Sequence, residues 1–267
     1  MTGSPRLLPL ATFLCAALLG TTLLSPALRA ADLSGDYSWK PVRLGAGGFV
    51  TGLVIHPLDP DVRYCRTDVG NAYRWDAAAR EWMPLVVREG LAGVPVSVAS
   101  APSKIGVESI AVDPLNPKVV LISFPAKYSS SDKKSVTPIA GAVFRSTDGG
   151  RNFIQSDLNV KMVPNGGWRH KGECMGIDPV NPGIVYYGSR ENGLWCSADG
   201  GLKWSQLTTG GAPDAKANVI GIRFDRTSRT AVTTYAIVAG GTVLRSADSG
   251  TTWTDVGATS GLEGKLG

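Results

Sequence analysis

Histidine and charge are both scarce in this 267-residue sequence. Its two histidines, His56 and His170, are too few for a multi-histidine metal centre and supply a Ser-His-Asp triad poorly. Charged residues make up 18% and hydrophobic residues 43%, which excludes a disordered acidic or basic chain. Neither a heptad pattern nor a Gly-X-Y period is present, which excludes coiled coil and collagen. We predict neither a metal nor a cofactor.

The first 30 residues have the features of an export signal. Arg6 precedes an apolar run over residues 7–24, and Ala30 offers a small residue at the cleavage position. A retained membrane anchor is the alternative, but the run is short for a span and contains Gly20. We therefore predict cleavage near Ala30, secretion of residues 31–267 and no membrane attachment afterwards.

The mature chain is nearly neutral. Residues 1–30 hold two of the 27 Lys and Arg and none of the 22 Asp and Glu, so 237 residues keep a net charge of +3. Nucleic-acid binding therefore has no electrostatic support.

Three cysteines remain in the mature chain, Cys65, Cys174 and Cys196. An odd number cannot form a full disulfide framework and the spacing matches no zinc motif, so we interpret them as small strand or core residues.

Glycine and proline are abundant, with 33 and 17 residues, and they accompany a repeat. Three segments share the pattern Ser-x-Asp-x-Gly-x-x-aromatic, here called the Asp box. The copies are Ser146–Phe153, Ser197–Trp204 and Ser246–Trp253. Their aspartates are 51 and 49 residues apart. Arg66–Tyr73 is interpreted as a fourth, altered copy in which Arg66 replaces the serine.

A short apolar strand ending in an Asp/Asn-Pro turn precedes each copy. These segments are Val54–Pro60, Ala111–Pro117, Gly176–Pro182 and the degenerate Ile222–Thr227. A period near 50 with about four short strands per unit is typical of a β-propeller blade. An immunoglobulin-like sandwich would not explain a turn motif that recurs at the same phase. We predict an all-β partial propeller over residues 31–267, with four to five blades of a seven-bladed N-terminal propeller and truncated at its C-terminus.

The aspartates of the Asp boxes are predicted to be turn residues rather than catalytic acids. The serine hydroxyl and the carboxylate can bond backbone groups, the glycine supplies a positive φ, and the aromatic ring packs between blades. The repeat by itself therefore indicates a fold and no chemistry.

Several segments resemble glycoside hydrolase family 74, the xyloglucanases and related endo-glucanases. They are Tyr37–Val42, Phe49–Val54, Tyr64–Asp76, Gly106–Pro114 and Gly188–Trp195. The Arg-Thr-Asp-Val-Gly run at Arg66–Gly70 is specific to that family. The resemblance implies two seven-bladed propellers around a polysaccharide cleft, and inverting hydrolysis of β-1,4-glucan backbones.

The resemblance implies that Asp68 is the general base, and that the general acid comes from a second propeller without a counterpart in this sequence. Arg66, two residues earlier, would keep the carboxylate ionised, which suits a base. The alternative is that Asp68 belongs to a decayed structural turn.

Six further residues are candidates for substrate binding: Tyr73, Trp75, Glu108, Trp168, Arg169 and Glu173. The aromatic rings of Tyr73 and Trp75 either stack on sugar rings or pack between blades. Glu108 and Glu173 each lie five residues before a repeat aspartate, at the start of an innermost strand, where a solvated or turn-capping carboxylate is the alternative. Trp168 and Arg169 share the loop of Glu173.

Two functions remain in competition. The first is a secreted, monomeric glycosidase that acts on plant xyloglucan. The second is a catalytically silent Asp-box propeller that binds a glycan or a protein. A sialidase is a weaker third hypothesis, because the arginine triad and the Tyr/Glu nucleophile pair it requires cannot be assembled here. The mature length suits about 4.7 blades at about 50 residues each, which favours a fragment of a longer protein.

Overall fold

The computed structural model describes residues 44, 48–86, 106–132, 135–227 and 232–257, without the side chains of 127–139. The predicted signal peptide, residues 1–30, and its cleavage position lie outside these ranges. Regular structure in the described part is entirely β, and no helix there is long and apolar enough to cross a membrane.

Within the described ranges, sixteen strands form four antiparallel sheets, each built from four strands that are neighbours in chain order. The strands are β1 Val50–Ile55, β2 Arg63–Thr67, β3 Ala72–Asp76, β4 Glu81–Pro84, β5 Ser109–Val112, β6 Val120–Asp132, β7 Ser135–Ser146, β8 Ile154–Gln155, β9 Met175–Ile177, β10 Val185–Gly188, β11 Leu194–Ser197, β12 Ser205–Leu207, β13 Val219–Asp225, β14 Thr233–Val238, β15 Thr242–Ser246 and β16 Thr254–Asp255. The first sheet contains β1–β4, the second β5–β8, the third β9–β12 and the fourth β13–β16. This organisation confirms the predicted all-β, propeller-type fold.

The Asp-Pro segments end the first strand of the sheets as the sequence predicts. Asp113 follows β5, and its carboxylate accepts the N–H of Leu115 at 2.9 Å. Asp178 follows β9 and accepts the N–H of Val180 at 2.8 Å. Such Asx turns satisfy backbone donors while the proline fixes φ, so the chain reverses into the second strand.

The first strands of successive sheets are in contact, β1 with β5, β5 with β9 and β9 with β13. The core lies between neighbouring sheets. Phe124 and Phe144 stack at 4.0 Å in the cluster shared by the first and second sheets. Tyr187 and Trp204 meet edge to face at 6.3 Å in the cluster shared by the second and third. Burial of large aromatic rings is a main stabilising contribution of such clusters.

The three Asp boxes have the same local geometry. In each, the serine hydroxyl donates to the aspartate carboxylate at 2.8 Å and accepts the N–H of the glycine four residues later at 2.8–2.9 Å. The carboxylate also accepts the N–H four residues after the aspartate at 2.9–3.0 Å. The serine–aspartate pairs are Ser146–Asp148, Ser197–Asp199 and Ser246–Asp248. The prediction of equivalent structural turns is confirmed.

Each box turn packs against the preceding sheet. Gly150, Gly201 and Gly250 have φ between 84° and 94°. A β-carbon on Gly201 would lie 2.4 Å from Leu121 in the second sheet, and one on Gly250 would lie 2.7 Å from the Tyr186 hydroxyl in the third. Glycine is therefore required here for both conformation and space.

Arg66–Tyr73 is not a fourth Asp box, and that prediction is wrong. The segment joins the second strand of its sheet to the third, whereas every box joins the third strand to the fourth. In the first sheet the turn after the third strand begins at Asp76, which accepts the N–H groups of Ala78 and Ala79 at 2.9 Å. Both turns place Asp and small residues between strands, and this makes their sequences alike.

Because neighbouring strands are antiparallel, each sheet has two distinct ends. The turns between second and third strands lie at the end where the first strand starts. We call this the Asp68 end, since Asp68 follows β2 there. The opposite end carries Asp148, Asp199 and Asp248 in the turns after third strands, and we call it the box end.

Candidate functional site

Asp68 is held by chain segments from outside its own turn. Its Oδ1 accepts the N–H of Phe49 at 2.8 Å, and its Oδ2 lies 3.5 Å from Nε of Arg169. The residue is 8% exposed. Thr67 supplies the turn bonds instead, since its hydroxyl accepts the N–H groups of Gly70 at 2.9 Å and Asn71 at 2.8 Å. The carboxylate of Asp68 thus has no part in stabilising its own turn, unlike those of the Asp boxes.

The chain leading into β5 passes directly against Asp68. A β-carbon on Gly106 would lie 1.8 Å from the carbonyl oxygen of Asp68. The next residue, Val107, donates its N–H to the carbonyl of Thr67 at 3.1 Å. Segments that precede β1, β5 and β9 therefore meet at Asp68.

Arg66 has a different role from the one predicted. It is fully buried and makes an ion pair with Glu173 at 2.7 Å. It also donates to the Thr51 hydroxyl at 2.7 Å and to the Gly172 carbonyl at 3.1 Å. The charge beside Asp68 belongs to Arg169 instead. Arg66 fastens the end of the loop that carries Arg169.

Both carboxylate oxygens of Glu173 accept hydrogen bonds from neighbouring residues. Oε1 receives Arg66, while Oε2 accepts the Ser109 hydroxyl and the Ile110 N–H, each at 2.7 Å. These bonds join the start of the third sheet to the first and second sheets. The side chain is 18% exposed.

Glu108 is buried as well, at 2% exposed. Its carboxylate receives Nε of Arg190 at 3.1 Å and the Tyr187 hydroxyl at 3.2 Å. Burial raises the pKa of Glu108 although the Arg190 charge opposes this. A group so enclosed is out of reach of a polysaccharide, so the structure gives Glu108 a position between sheets rather than in a cleft.

Trp168 and Arg169 lie on the loop before β9 at the Asp68 end. The Arg169 side chain is 38% exposed, and Trp168 is half-buried with the Lys171 ammonium 5.7 Å from its ring. Arg169 also donates to the Gly166 carbonyl at 3.2 Å. Of the six predicted substrate contacts, Arg169 combines an accessible side chain with proximity to Asp68, and Trp168 is its neighbour in the chain.

The structure does not bring Tyr73 and Trp75 to Asp68. Tyr73 lies opposite Cys65 in the β2–β3 pair and is 1% exposed, so its ring offers no face to a sugar. Trp75 is near the end of β3, at the box end of the first sheet. The direction of β3 carries it away from Asp68.

The sequence analysis did not identify two residues that hold predicted site residues in place, Phe49 and Arg190. Phe49 holds Asp68 through its backbone, which no side-chain pattern reveals. Arg190 occupies in the third sheet the turn position that Asp68 has in the first, because Ser189 accepts the N–H of Asn192 at 3.0 Å as Thr67 does in its own turn. The pairs Thr67-Asp68 and Ser189-Arg190, a hydroxyl residue followed directly by a charged residue where the second strand ends, were a usable signal. No group of three or more metal-ligating side chains occurs among the residues that the structure describes.

Comparison with known proteins finds xyloglucanases among the relatives of this chain. No family model matches the chain. It is 35% identical over 251 residues to a xyloglucanase of Paenibacillus sp, covering 86% of this chain and 23% of the relative. It is also 35% identical over 264 residues to a xyloglucanase of Acetivibrio thermocellus, covering 91% and 30%. The crystal structure of the GH74 xyloglucanase from Xanthomonas campestris matches with a TM-score of 0.62 and 29% identity, over 82% of this chain and 32% of that one. The chain thus spans about a quarter to a third of the length of these relatives.

Proposed function

Because this chain belongs to glycoside hydrolase family 74, we propose that it forms part of an inverting xyloglucan hydrolase with Asp68 as general base. The observation that carries the proposal is the setting of Asp68. Its carboxylate makes no hydrogen bond within its own turn, is largely buried, and lies 3.5 Å from Nε of the accessible Arg169, whose loop also carries Trp168. The structural carboxylates at the box end have none of these properties.

Inverting hydrolysis needs a base for water and an acid for the leaving oxygen, with the carboxyl groups roughly 6.5–9.5 Å apart. Oδ1 of Asp68 is fixed by the Phe49 N–H, while Oδ2 has Arg169 at 3.5 Å. In the proposed step Oδ2 takes a proton from water. The water oxygen bonds to the anomeric carbon as the glycosidic bond breaks and the acid protonates the departing oxygen.

The acid is proposed to come from a second propeller. Glu108 follows the segment Gly106–Val107 that contacts Asp68, and Glu173 follows the loop that carries Arg169. The carboxyl groups of both residues are held in buried ion pairs. Within the described residues, neither is free to protonate a glycosidic oxygen. On this proposal the 267-residue chain alone does not hydrolyse xyloglucan.

The protein is further proposed to be exported with cleavage near Ala30 and to act as a monomer. Its near-neutral mature surface, with a net charge of +3, suits a neutral polysaccharide. A silent glycan-binding propeller remains the second candidate function, and it is favoured for this chain on its own because Glu108 and Glu173, among the described residues, are held in ion pairs.

The test is reducing-sugar release from tamarind xyloglucan by the intact enzyme and two variants. Asp68→Asn keeps the shape of the side chain but removes the base, and is expected to lower kcat by about 10²–10⁴-fold. Asp148→Asn, the same change in an Asp box, is expected to retain kcat. Equal activity of Asp68→Asn and the wild-type enzyme would return Asp68 to a structural role.

A further inference from the structure

The loop that precedes β9, residues 165–172, contacts both Asp68 and the fully buried Arg66. We call it the Arg169 loop. Between residues 166 and 171, three of its backbone N–H groups bond to carbonyls three residues earlier at 2.8–3.1 Å. These bonds are local, so they fix the shape of the loop and leave its position relative to Asp68 open. The contacts that fix this position come from other parts of the chain.

Arg66 holds the end of the loop through all three of its guanidinium nitrogens. Nη2 donates to the Gly172 carbonyl at 3.1 Å, and Nη1 donates to the Arg169 carbonyl at 3.5 Å. Nε donates to Oε1 of Glu173 at 2.7 Å, and Nη1 also donates to the Thr51 hydroxyl in β1 at 2.7 Å. The rigid, planar fork of an arginine can serve several acceptors at once, whereas a lysine ammonium cannot hold the same set.

The first strand leaves room for this ion pair. Gly52 lies opposite Arg66 in the β1–β2 pair. A β-carbon on Gly52 would overlap with Oε1 of Glu173 and would lie 2.7 Å from Nε of Arg66. Because Arg66 is 0% exposed and bonded to Glu173, the two side chains could not move aside without breaking their pair. Residues far apart in the chain therefore restrict the end of the Arg169 loop to one place over the first sheet.

Arg169 connects this loop to the carboxylate of Asp68. Its Nε lies 3.5 Å from Oδ2, while the Phe49 N–H donates to Oδ1 at 2.8 Å. Nη1 of Arg169 donates to the Gly166 carbonyl at 3.2 Å, which holds the guanidinium against its own loop. The terminal torsion of an aspartate is broad and roughly two-fold, so contacts on both oxygens restrict the plane of the carboxylate more than one contact does.

We propose that Arg169 is a positioning residue for Asp68, and that Arg66 holds Arg169 in place through the loop. This inference rests on the proposed role of Asp68 as general base. Two of the three guanidinium nitrogens of Arg169 face protein acceptors, so its action is on the orientation of Oδ2 rather than on the glycan. Displacement of a reacting group by about 1 Å can cost about 10²-fold in rate. Both arginines therefore affect kcat rather than KM.

The role of Arg169 is tested in the intact enzyme by steady-state kinetics on tamarind xyloglucan. Arg169→Gln is expected to lower kcat about 10–100-fold and to keep KM within about twofold. Arg151→Gln is the matched control and should retain kcat, because Arg151 also donates from Nη1 to a carbonyl three residues earlier but lies at the box end. An unchanged kcat of Arg169→Gln would overturn this proposal alone. An unchanged kcat of Asp68→Asn would contradict the proposed function on which it rests.

Azide distinguishes an effect on the base from an effect on the sugar. In Asp68→Ala, azide bonds to the anomeric carbon as the glycosidic bond breaks and the acid protonates the leaving oxygen, and no base is needed. Addition of Arg169→Gln to Asp68→Ala should therefore leave azide-dependent turnover within about twofold. A fall as large as in the enzyme that keeps Asp68 would show that Arg169 contacts the glycan, and would overturn the positioning role.

Arg66→Lys tests the second part of the proposal. Lysine keeps a positive charge beside Glu173 but cannot bond the Gly172 and Arg169 carbonyls together. We expect kcat to fall about tenfold, and the double variant with Arg169→Gln to match Arg169→Gln alone, because both residues act through one contact. Thr51→Val, which removes only the hydroxyl bonded to Nη1 of Arg66, gives the same comparison in a protein that keeps the ion pair. An unchanged kcat of Arg66→Lys, or losses that multiply in either double variant, would overturn this part.

Discussion

Gly106 and Asp68 approach so closely that a β-carbon on Gly106 would lie 1.8 Å from the Asp68 carbonyl oxygen. Gly106→Ala must therefore displace either the chain leading into β5 or the turn of Asp68. We expect a loss of about 1–3 kcal/mol in unfolding free energy, measured by urea denaturation. Gly167→Ala is the control, since nothing lies within 4 Å of its β-carbon, and it should change stability by less than about 0.5 kcal/mol. Equal losses of unfolding free energy in the two variants would contradict this prediction.

The buried ion pair between Arg66 and Glu173 should be sensitive to loss of one partner. Arg66→Met leaves the Glu173 carboxylate without its cation and is expected to cost about 3–5 kcal/mol. Lys161→Met makes a comparable change in the exposed pair with Glu191, whose side chains are 43% and 53% exposed, and should cost at most about 1 kcal/mol. Urea unfolding of both variants measures the difference. A mild effect of Arg66→Met would mean that the pair does not hold the sheets together.

The Asp boxes should make stability depend on pH in the acid range. Although burial opposes the shift, hydrogen bonds from Asn152, Ser146 and Arg151 lower the pKa of Asp148 to about 2. A carboxyl whose pKa is lower in the folded than in the unfolded state stabilises above its unfolded pKa of about 3.9, and this contribution disappears as pH falls to about 2. The stability difference between wild type and Asp148→Asn should therefore be larger at pH 6 than at pH 2.5. A difference independent of pH would contradict this.

The three cysteines among the described residues should be unreactive in the folded protein. Burial raises the pKa of Cys65 to about 12 and those of Cys174 and Cys196 to about 11. Because the thiolate is the reactive form, alkylation by iodoacetamide at pH 8 should be at least about a hundredfold slower than in urea. Mass spectrometry of peptides assigns the modification to each residue. Rapid labelling of Cys65 in the native protein would show that the first sheet is open.

Local patterns were sufficient to predict the sheets and the Asp boxes. Ser-x-Asp-x-Gly acts within eight residues, and its bonds form in the same way at Asp148 and Asp199. The site around Asp68 is different, because Arg169 is 101 residues away in the chain and Phe49 contributes only its backbone. Such contacts depend on how successive sheets stack, and a single sequence does not encode that in any short motif.

The same limit explains the misplaced aromatic residues. Tyr73 and Trp75 are close to Asp68 in sequence, but β3 runs from the Asp68 end towards the box end, and Trp75 is three residues along it. Glu108 and Glu173 lie just before β5 and β9, the first strands of their sheets. Their burial against Arg190 and Arg66 depends on partners that lie 82 and 107 residues away.

The most direct test of Asp68 as general base is chemical rescue of Asp68→Ala by azide in the intact enzyme. Removal of the base should abolish hydrolysis, while azide needs no deprotonation to attack the anomeric carbon as the acid protonates the leaving oxygen. We predict that azide restores turnover at least tenfold and yields the inverted, α-configured glycosyl azide, detected by NMR. Asp68→Ala that hydrolyses xyloglucan at the wild-type rate, or that yields no glycosyl azide, would contradict the assignment.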